Sequence, residues 1–194
     1  MKKTEKITSI AVLVLIAVVI SSTFLGNNFN KKETEFLSAS WFYNYRDIEE
    51  ISQASDAIAL IKVDGVVDSY DVQDIPITEY KVDVVTSVYN TNKGDTFTIV
   101  MTGKETNDKI IEVNDDPLLQ KGEEFLVFCK KNTDGTYRII SGPQGRLAHS
   151  NGKLSSLNAV DARVKAENPY SNITVVNADV NELISQIKSY VGVE

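Results

Sequence analysis

The chain of 194 residues contains one cysteine and one histidine, and that scarcity excludes a good deal of chemistry at once. Zinc and iron sites draw on sets of Cys and His ligands, and no such set can be assembled. A single cysteine cannot close an intramolecular disulfide. Cys129 ends the apolar run Phe125-Leu126-Val127-Phe128-Cys129, where a thiol acts as a small hydrophobe. A nucleophilic thiolate needs polar, electropositive surroundings, so packing is the expected role despite Lys130 and Lys131 just beyond. His149 stands beside Ser150 and Asn151 and reads as a solvent-exposed residue of a hairpin tip. Nothing near it frames it between an acid and a nucleophile, as Ser-His-Asp catalysis requires.

Positive charge is also short. Lys and Arg number 20 against 27 Asp and Glu, a net charge of −7. Residues 1–26 hold three lysines and one glutamate, so the remainder carries 17 basic and 26 acidic groups, or −9. Phosphate neutralisation supplies most of the energy of nucleic-acid binding, so no nucleic-acid partner is expected; the acidity suits solubility. The acids themselves form no ligand pattern. Asn114-Asp115-Asp116 and the stretch Asp68 to Asp74 could offer oxygens to calcium, but neither matches a spaced calcium loop. Glycoside cleavage would need a chosen pair of carboxylates, and no cleft gathering two acids is expected. Gly142-Pro143-Gln144-Gly145 lacks the lysine and following helix of a phosphate loop. The sequence therefore assigns no catalytic, cofactor-binding or metal residue, and no cofactor.

What is present begins at the N-terminus. Lys2, Lys3 and Lys6 precede Ile10 to Ile20, eleven residues without a polar side chain. Charge followed by an apolar run is the order of an export signal, with the lysines left on the cytoplasmic side. Ile7 to Leu25 is nineteen residues interrupted only by hydroxyls, close to the ~20 that span hydrocarbon as a helix. Ser21-Ser22-Thr23 fits a cleavage site only loosely. Residues 1–26 are thus a signal peptide or membrane anchor, with the balance toward an uncleaved anchor that holds the membrane through residues 7–25. The absence of a nearby cysteine argues against a lipid-anchored lipoprotein, and sparse cysteine fits an exported Gram-positive protein. The domain is expected at the cell membrane on its outer side, or secreted if the segment is cut.

Residues 27–40 are polar and read as a linker, and 41–194 as a single domain large enough for one core. Four aromatics fall between Trp41 and Tyr45, better suited to packing than to stacking on sugars or a partner. Asp47-Ile48-Glu49-Glu50 carries a helix-start signature, and the helix runs to about Ala54. Ala57 to Val67 reads as a strand covered on both faces. Ser69 to Pro76 reads as an acidic turn, and Glu79–Tyr89, Thr96–Met101 and Lys109–Val113 as strands, with a polar loop at Gly103–Asp108. Glu124–Lys130 should be central, and Asp134-Gly135 a tight hairpin turn into Tyr137–Ile140. Strands follow at Arg146–Ala148 and Lys153-Leu154, then a short helix near Ala159–Ala166 and a break at Asn168-Pro169. From Asp179 onward Val180, Leu183, Ile184, Ile187 and Val191 keep helical spacing behind another capping pattern.

Three stretches together resemble a family of uncharacterised exported Gram-positive proteins. They are Ser55 to Val63 after a short acidic helix, Glu79 to Val85 before Lys93-Gly94-Asp95-Thr96, and Leu118 to Phe128 with the glycine turn Gly142–Gly145. The same order is similar to netrin-like and tissue-inhibitor-of-metalloproteinase-like domains, which implies an OB-like barrel over roughly Asp47 to Leu154. Those inhibitors use an N-terminal cysteine that this chain lacks, so inhibition is not implied and no functional residue carries over. The expected class is α+β, mostly β: a small antiparallel OB-like barrel or curled sheet, flanked by a short N-terminal helix and a C-terminal amphipathic helix. The expected function is non-catalytic binding of a protein or cell-wall polymer, with an extracellular hydrolase using acidic residues as the alternative.

Overall fold

The computed structural model describes residues 32–39, 43–161 and 172–193. Residues 1–26, read as a signal peptide or anchor, Trp41, Phe42 and the break read at Asn168-Pro169 lie outside them. Along the chain run β1 (Glu33–Leu37), α1 (Ile48–Ala54), β2 (Ala57–Val72), β3 (Ile75–Tyr89), β4 (Thr96–Glu105), β5 (Lys109–Val113) and β6 (Glu124–Lys131). Then come β7 (Tyr137–Ile139), a 3-10 turn (Gly142–Gly145), β8 (Arg146–Ser150), β9 (Lys153–Ser156), α2 (Leu157–Val160), β10 (Ala178–Asp179) and α3 (Val180–Tyr190).

The class is mostly β, and five strands close on themselves. β2 pairs with β3, β3 with β4, and β2 with β6, all antiparallel. The short β7 completes the ring, antiparallel to β6 and parallel to β4 through Ile99↔Tyr137. Closure demands a bent first strand, and the β2–β3 register shifts four times between Ile58 and Asp68. Such bulges bend and twist a strand locally. Beyond β6 the sheet continues outward through β8, β9 and β10.

Two apolar cores explain why β2 and β6 read as apolar on both faces. Ala59, Ile61 and Val63 point into the barrel with Val127, Cys129 and Ile99. Ile58 and Leu60 point outward with Leu126 and Phe128, under Ile51 of α1 and Leu183, Ile184 and Ile187 of α3. The expected α3 stripe is the buried one: Ile187 is fully buried, and Val180 and Val191 pack against the same cluster. Burial of a side chain of that size is worth about 1.5–3 kcal/mol. Cys129 lies inside the barrel, where burial pushes its thiol well above the ordinary range.

Capping sets where α1 starts. The Asp47 carboxylate accepts the Glu50 amide at 2.8 Å. The reciprocal half of the capping box is displaced by one residue, because Glu50 accepts the Arg46 amide (2.8 Å) and guanidinium (3.1 Å). Replacing Asp47 with alanine is expected to cost about 1 kcal/mol, read as a lower chemical-denaturation midpoint with unchanged slope. At the other end of the chain, Asp179 accepts from Asn181 and Glu182 at the start of α3.

Several expectations are corrected in detail. Ser69 to Pro76, read as an acidic turn, is mostly strand: β2 runs to Val72 and β3 starts at Ile75. Only Gln73 and Asp74 turn, both with positive φ (49° and 66°), as a two-residue hairpin requires. The loop read at Gly103–Asp108 begins later, since β4 continues to Glu105 where β5 pairs with it. Glu33–Leu37, read within the polar linker, forms β1 beside β5, and the Asn114 amide donates to the Leu37 carbonyl at 2.9 Å. The helix read near Ala159–Ala166 starts earlier, as a single turn at Leu157–Val160, and 162–166 lie outside the described residues.

Candidate functional site

One end of the barrel opens between the β3–β4 turn and the β6–β7 hairpin. The pocket there holds about 460 Å³. Its walls are Val84 and the strip Asp95–Thr98 on one side, Asp134–Tyr137 on the other, with Asn90 and Thr91 at the rim. Both bounding turns are pinned by backbone bonds. Val84 donates to the Asp95 carbonyl (2.8 Å) and accepts from Gly94 (3.0 Å), while Asn132 donates to the Thr136 carbonyl (2.8 Å).

Phe97 and Tyr137 are brought together at the barrel mouth. Their ring centroids lie 4.9 Å apart at 56°, a tilted aromatic pair, and both rings are only partly buried against the barrel core. The Lys131 ammonium sits 5.9 Å from the Tyr137 ring centroid. Hydroxyls surround the pair: Thr91, Thr96, Thr98 and Thr136. The aromatic residues of this pocket were read in the sequence only as strand apolars; a Tyr and a Phe on the strands flanking two polar turns are the signal that marks them.

Two carboxylates, Asp95 and Asp134, line the same pocket, where the sequence reading expected no cleft that gathers acids. Each is committed to its own turn. Asp134 accepts from the Thr136 hydroxyl (2.7 Å) and amide (2.9 Å), and those bonds hold its carboxyl below the usual carboxylate range. Asp95 accepts from the Asn92 side-chain amide (2.8 Å) and backbone amide (3.2 Å).

His149 is not an exposed tip residue. It lies partly buried in β8 opposite Leu154, and its Nδ1 is 2.9 Å from a Glu124 carboxylate oxygen. Lys62 approaches the other Glu124 oxygen at 3.6 Å. The hollow beside this pair is about 270 Å³, walled by Glu123, Phe125, Ala148, Leu157, Val160 and Asp161. Among the described residues no Ser, Thr or Cys lines it. The pairing escaped sequence reading because Glu124 and His149 are joined only by the β6–β8 register.

Part of the acidic stretches considered for calcium is engaged elsewhere. Asp116 is buried and accepts from Arg146 at 2.7 Å, Asp71 pairs with Lys104, and the Asn114 amide reaches Asp115 at 3.1 Å. Among the described residues no group of three or more His, Cys, Asp or Glu is placed to hold a metal ion. Gly142–Gly145 serves packing: the Gln144 side chain accepts the Tyr45 amide (3.0 Å) and donates to the Asn44 side chain (2.7 Å) and the Tyr45 carbonyl (3.0 Å). That fastens the described part of the aromatic segment, in which Tyr43 and Tyr45 stack at 6.2 Å. Among the described residues no helix is long and apolar enough to cross a membrane, and residues 7–25 lie outside them. Compared with protein-family models, with curated proteins and with solved structures, the chain matches none.

Proposed function

We propose that this is an extracytoplasmic, non-catalytic binding domain built on an OB-like barrel, and that its ligand is a cell-wall polysaccharide held at the Phe97–Tyr137 pocket. The observation that carries the reading is that aromatic pair, partly buried and lining an open pocket rimmed with threonine hydroxyls. Sugar rings present C–H faces that lie on aromatic surfaces, and their hydroxyls exchange hydrogen bonds with just such neutral groups; a few placed polar groups around an apolar floor are what a small-ligand site needs.

The OB-like reading is supported by the order of closure. Counted from β2, the second and third strands are β3 and β4, and the hairpin Asn132–Thr136 joins the fourth and fifth. OB folds bind oligosaccharides across the second and third strands with the loops joining the first to the second and the fourth to the fifth; this pocket shares the third strand and the fourth-to-fifth hairpin and adds the turn between the second and third. Fold alone does not fix function; the aromatic floor is what favours a saccharide. Export through residues 1–26, as anchor or cleaved signal, would put the domain beside the wall.

The alternative is a hydrolase drawing on Asp95 and Asp134. A glycosidase needs one carboxyl kept protonated as the acid, and the Thr136 bonds favour the ionised form of Asp134. Both readings meet in one experiment. The full-length chain should sediment with purified cell walls, Tyr137→Ala should weaken that binding roughly tenfold, and no soluble sugar should be released. Unchanged binding by the variant would remove the pocket from the account, and release of reducing ends abolished by Asp95→Asn or Asp134→Asn would establish the hydrolase.

A further inference from the structure

The β2–β3 ladder runs on past the barrel as an arm. β6 pairs with β2 only as far as Lys62↔Glu124, and the backbone bonds of Val63 with Gly122 and Glu123 end the contact. β2 continues to Val72 with β3 on one side. Its other side, among the described residues, has no strand beside it from Gly65 onward. An open edge of this kind presents a row of unpaired N–H and C=O groups, a template for another strand.

The outer part of the edge is regular. The register shifts fall between Ile58 and Asp68, and the five pairs from Asp68↔Glu79 to Val72↔Ile75 follow without a break. Cross-strand partners share a face, so Tyr70 with Ile77 and Val72 with Ile75 form an apolar ladder. Tyr70, Val72 and Ile75 are 37%, 49% and 50% exposed. The Ser69 amide donates to the Asp68 carboxylate at 2.7 Å, a bond that a carbonyl from an incoming strand could replace.

Charge selects the occupant. Between Lys62 and Lys81 the sequence has no basic residue, and it carries Asp64, Asp68, Asp71, Asp74 and Glu79. Lys81 pairs with Asp64 and Lys104 with Asp71, which, among the described residues, leaves Asp68, Asp74 and Glu79 without a cation. A second copy of the arm would bring no basic side chain to this edge, only further acidic ones, and two segments of the same net charge repel. We propose that the Asp68–Val72 edge is a docking site for an extended segment of a partner protein, one that carries basic and apolar side chains together on one face, at every second position, and adds to β2 as a further strand. Main-chain bonds would supply the affinity, the Tyr70–Val72 ladder would receive the apolar side chains, and Asp68 and Asp74 the basic ones.

The test uses the full-length chain in mild detergent and two labelled peptides with threonine at every second position, one with lysine and valine taking turns at the positions between, the other with glutamate in place of lysine, followed by fluorescence anisotropy. The lysine peptide should bind and the glutamate peptide should not. Ser69→Pro removes an edge donor and should weaken binding roughly tenfold or more; the barrel amide spectrum checks that the fold persists. Asp68→Lys with Asp74→Lys should reverse the preference between the peptides, a readout that loss of folding cannot produce. Equal binding of both peptides, no effect of Ser69→Pro, or a dimer formed through the arm would each overturn the proposal.

Discussion

Replacing Arg146 with methionine is expected to cost about 3–5 kcal/mol of folding stability, a large share of what a domain of this size has. Arg146 is 1% exposed and lies inside the barrel end. Its guanidinium donates to the Asp116 carboxylate at 2.7 Å and to the Pro117 carbonyl, and it stacks 5.4 Å from the Phe125 ring centroid. Methionine fills similar space but leaves Asp116, itself 7% exposed, charged and unpaired. Since a lone buried charge is the costly species, changing both partners to apolar residues, Arg146→Met with Asp116→Leu, should recover most of the loss. The wild-type pair also leaves the Arg146 Nε buried without a partner among the described residues, a cost that both variants remove. Denaturant midpoints of the three proteins test the point.

The same pair sets a pH dependence. Burial pushes the Asp116 carboxyl up, and Arg146 pulls it partly back. A carboxyl whose folded value is raised binds its proton more readily folded than unfolded, so it favours folding most below the unfolded value of about 3.9 and loses that advantage as pH rises through the folded value. Without Arg146 the upward push is unopposed. The deficit of Arg146→Met relative to wild type should therefore widen as pH rises from about 4 toward neutrality; a deficit constant with pH would contradict this.

Gly145→Ala is the second large effect. A Cβ at this position would lie 2.0 Å from the Ile140 carbonyl oxygen and 2.7 Å from the Ile139 Cγ2. Neither can yield easily, since Ile140 donates to the Phe128 carbonyl at 3.0 Å and Ile139 pairs with Cys129 in β6. Relief would have to move the β7 end of the barrel, and a loss of about 3 kcal/mol or more is expected, the upper range for overpacking. Gly152→Ala makes the control. There a Cβ would meet nothing within 4 Å, and only its positive φ of 74° opposes the change, at about 1–2 kcal/mol. Equal losses at the two positions would show that conformation rather than contact governs Gly145.

Local pattern made part of this fold legible. β2 and β6 announce themselves as strands covered on both faces because one side of each faces the barrel interior and the other α1 and α3. The α3 stripe and the Asp47 and Asp179 caps follow from spacing within a single turn of helix. Features made between distant segments were hidden. Nothing in Asn114-Asp115-Asp116 marks Asp116 as the partner of Arg146, thirty positions on. Ser69 to Pro76 has turn composition because β2 is exposed at every residue from Val66 to Val72, and exposed strands are polar too. The pocket was partly visible: its hairpin residues Asp134-Gly135 were read as a turn, but the closure that brings Phe97 against Tyr137 depends on a single parallel pairing between β4 and β7.

The central claim is that the barrel mouth receives a wall saccharide. Amide chemical shifts of the isotopically labelled full-length chain, followed while soluble fragments of peptidoglycan and of wall polysaccharide are added in turn, address it directly. The account expects one class of fragment to move the amides of Thr96–Thr98 and Asp134–Tyr137 in a saturable way, with the Tyr137→Ala protein giving no response at the same concentrations. No response to any fragment, or shifts gathered instead around His149 and Glu124, would contradict it.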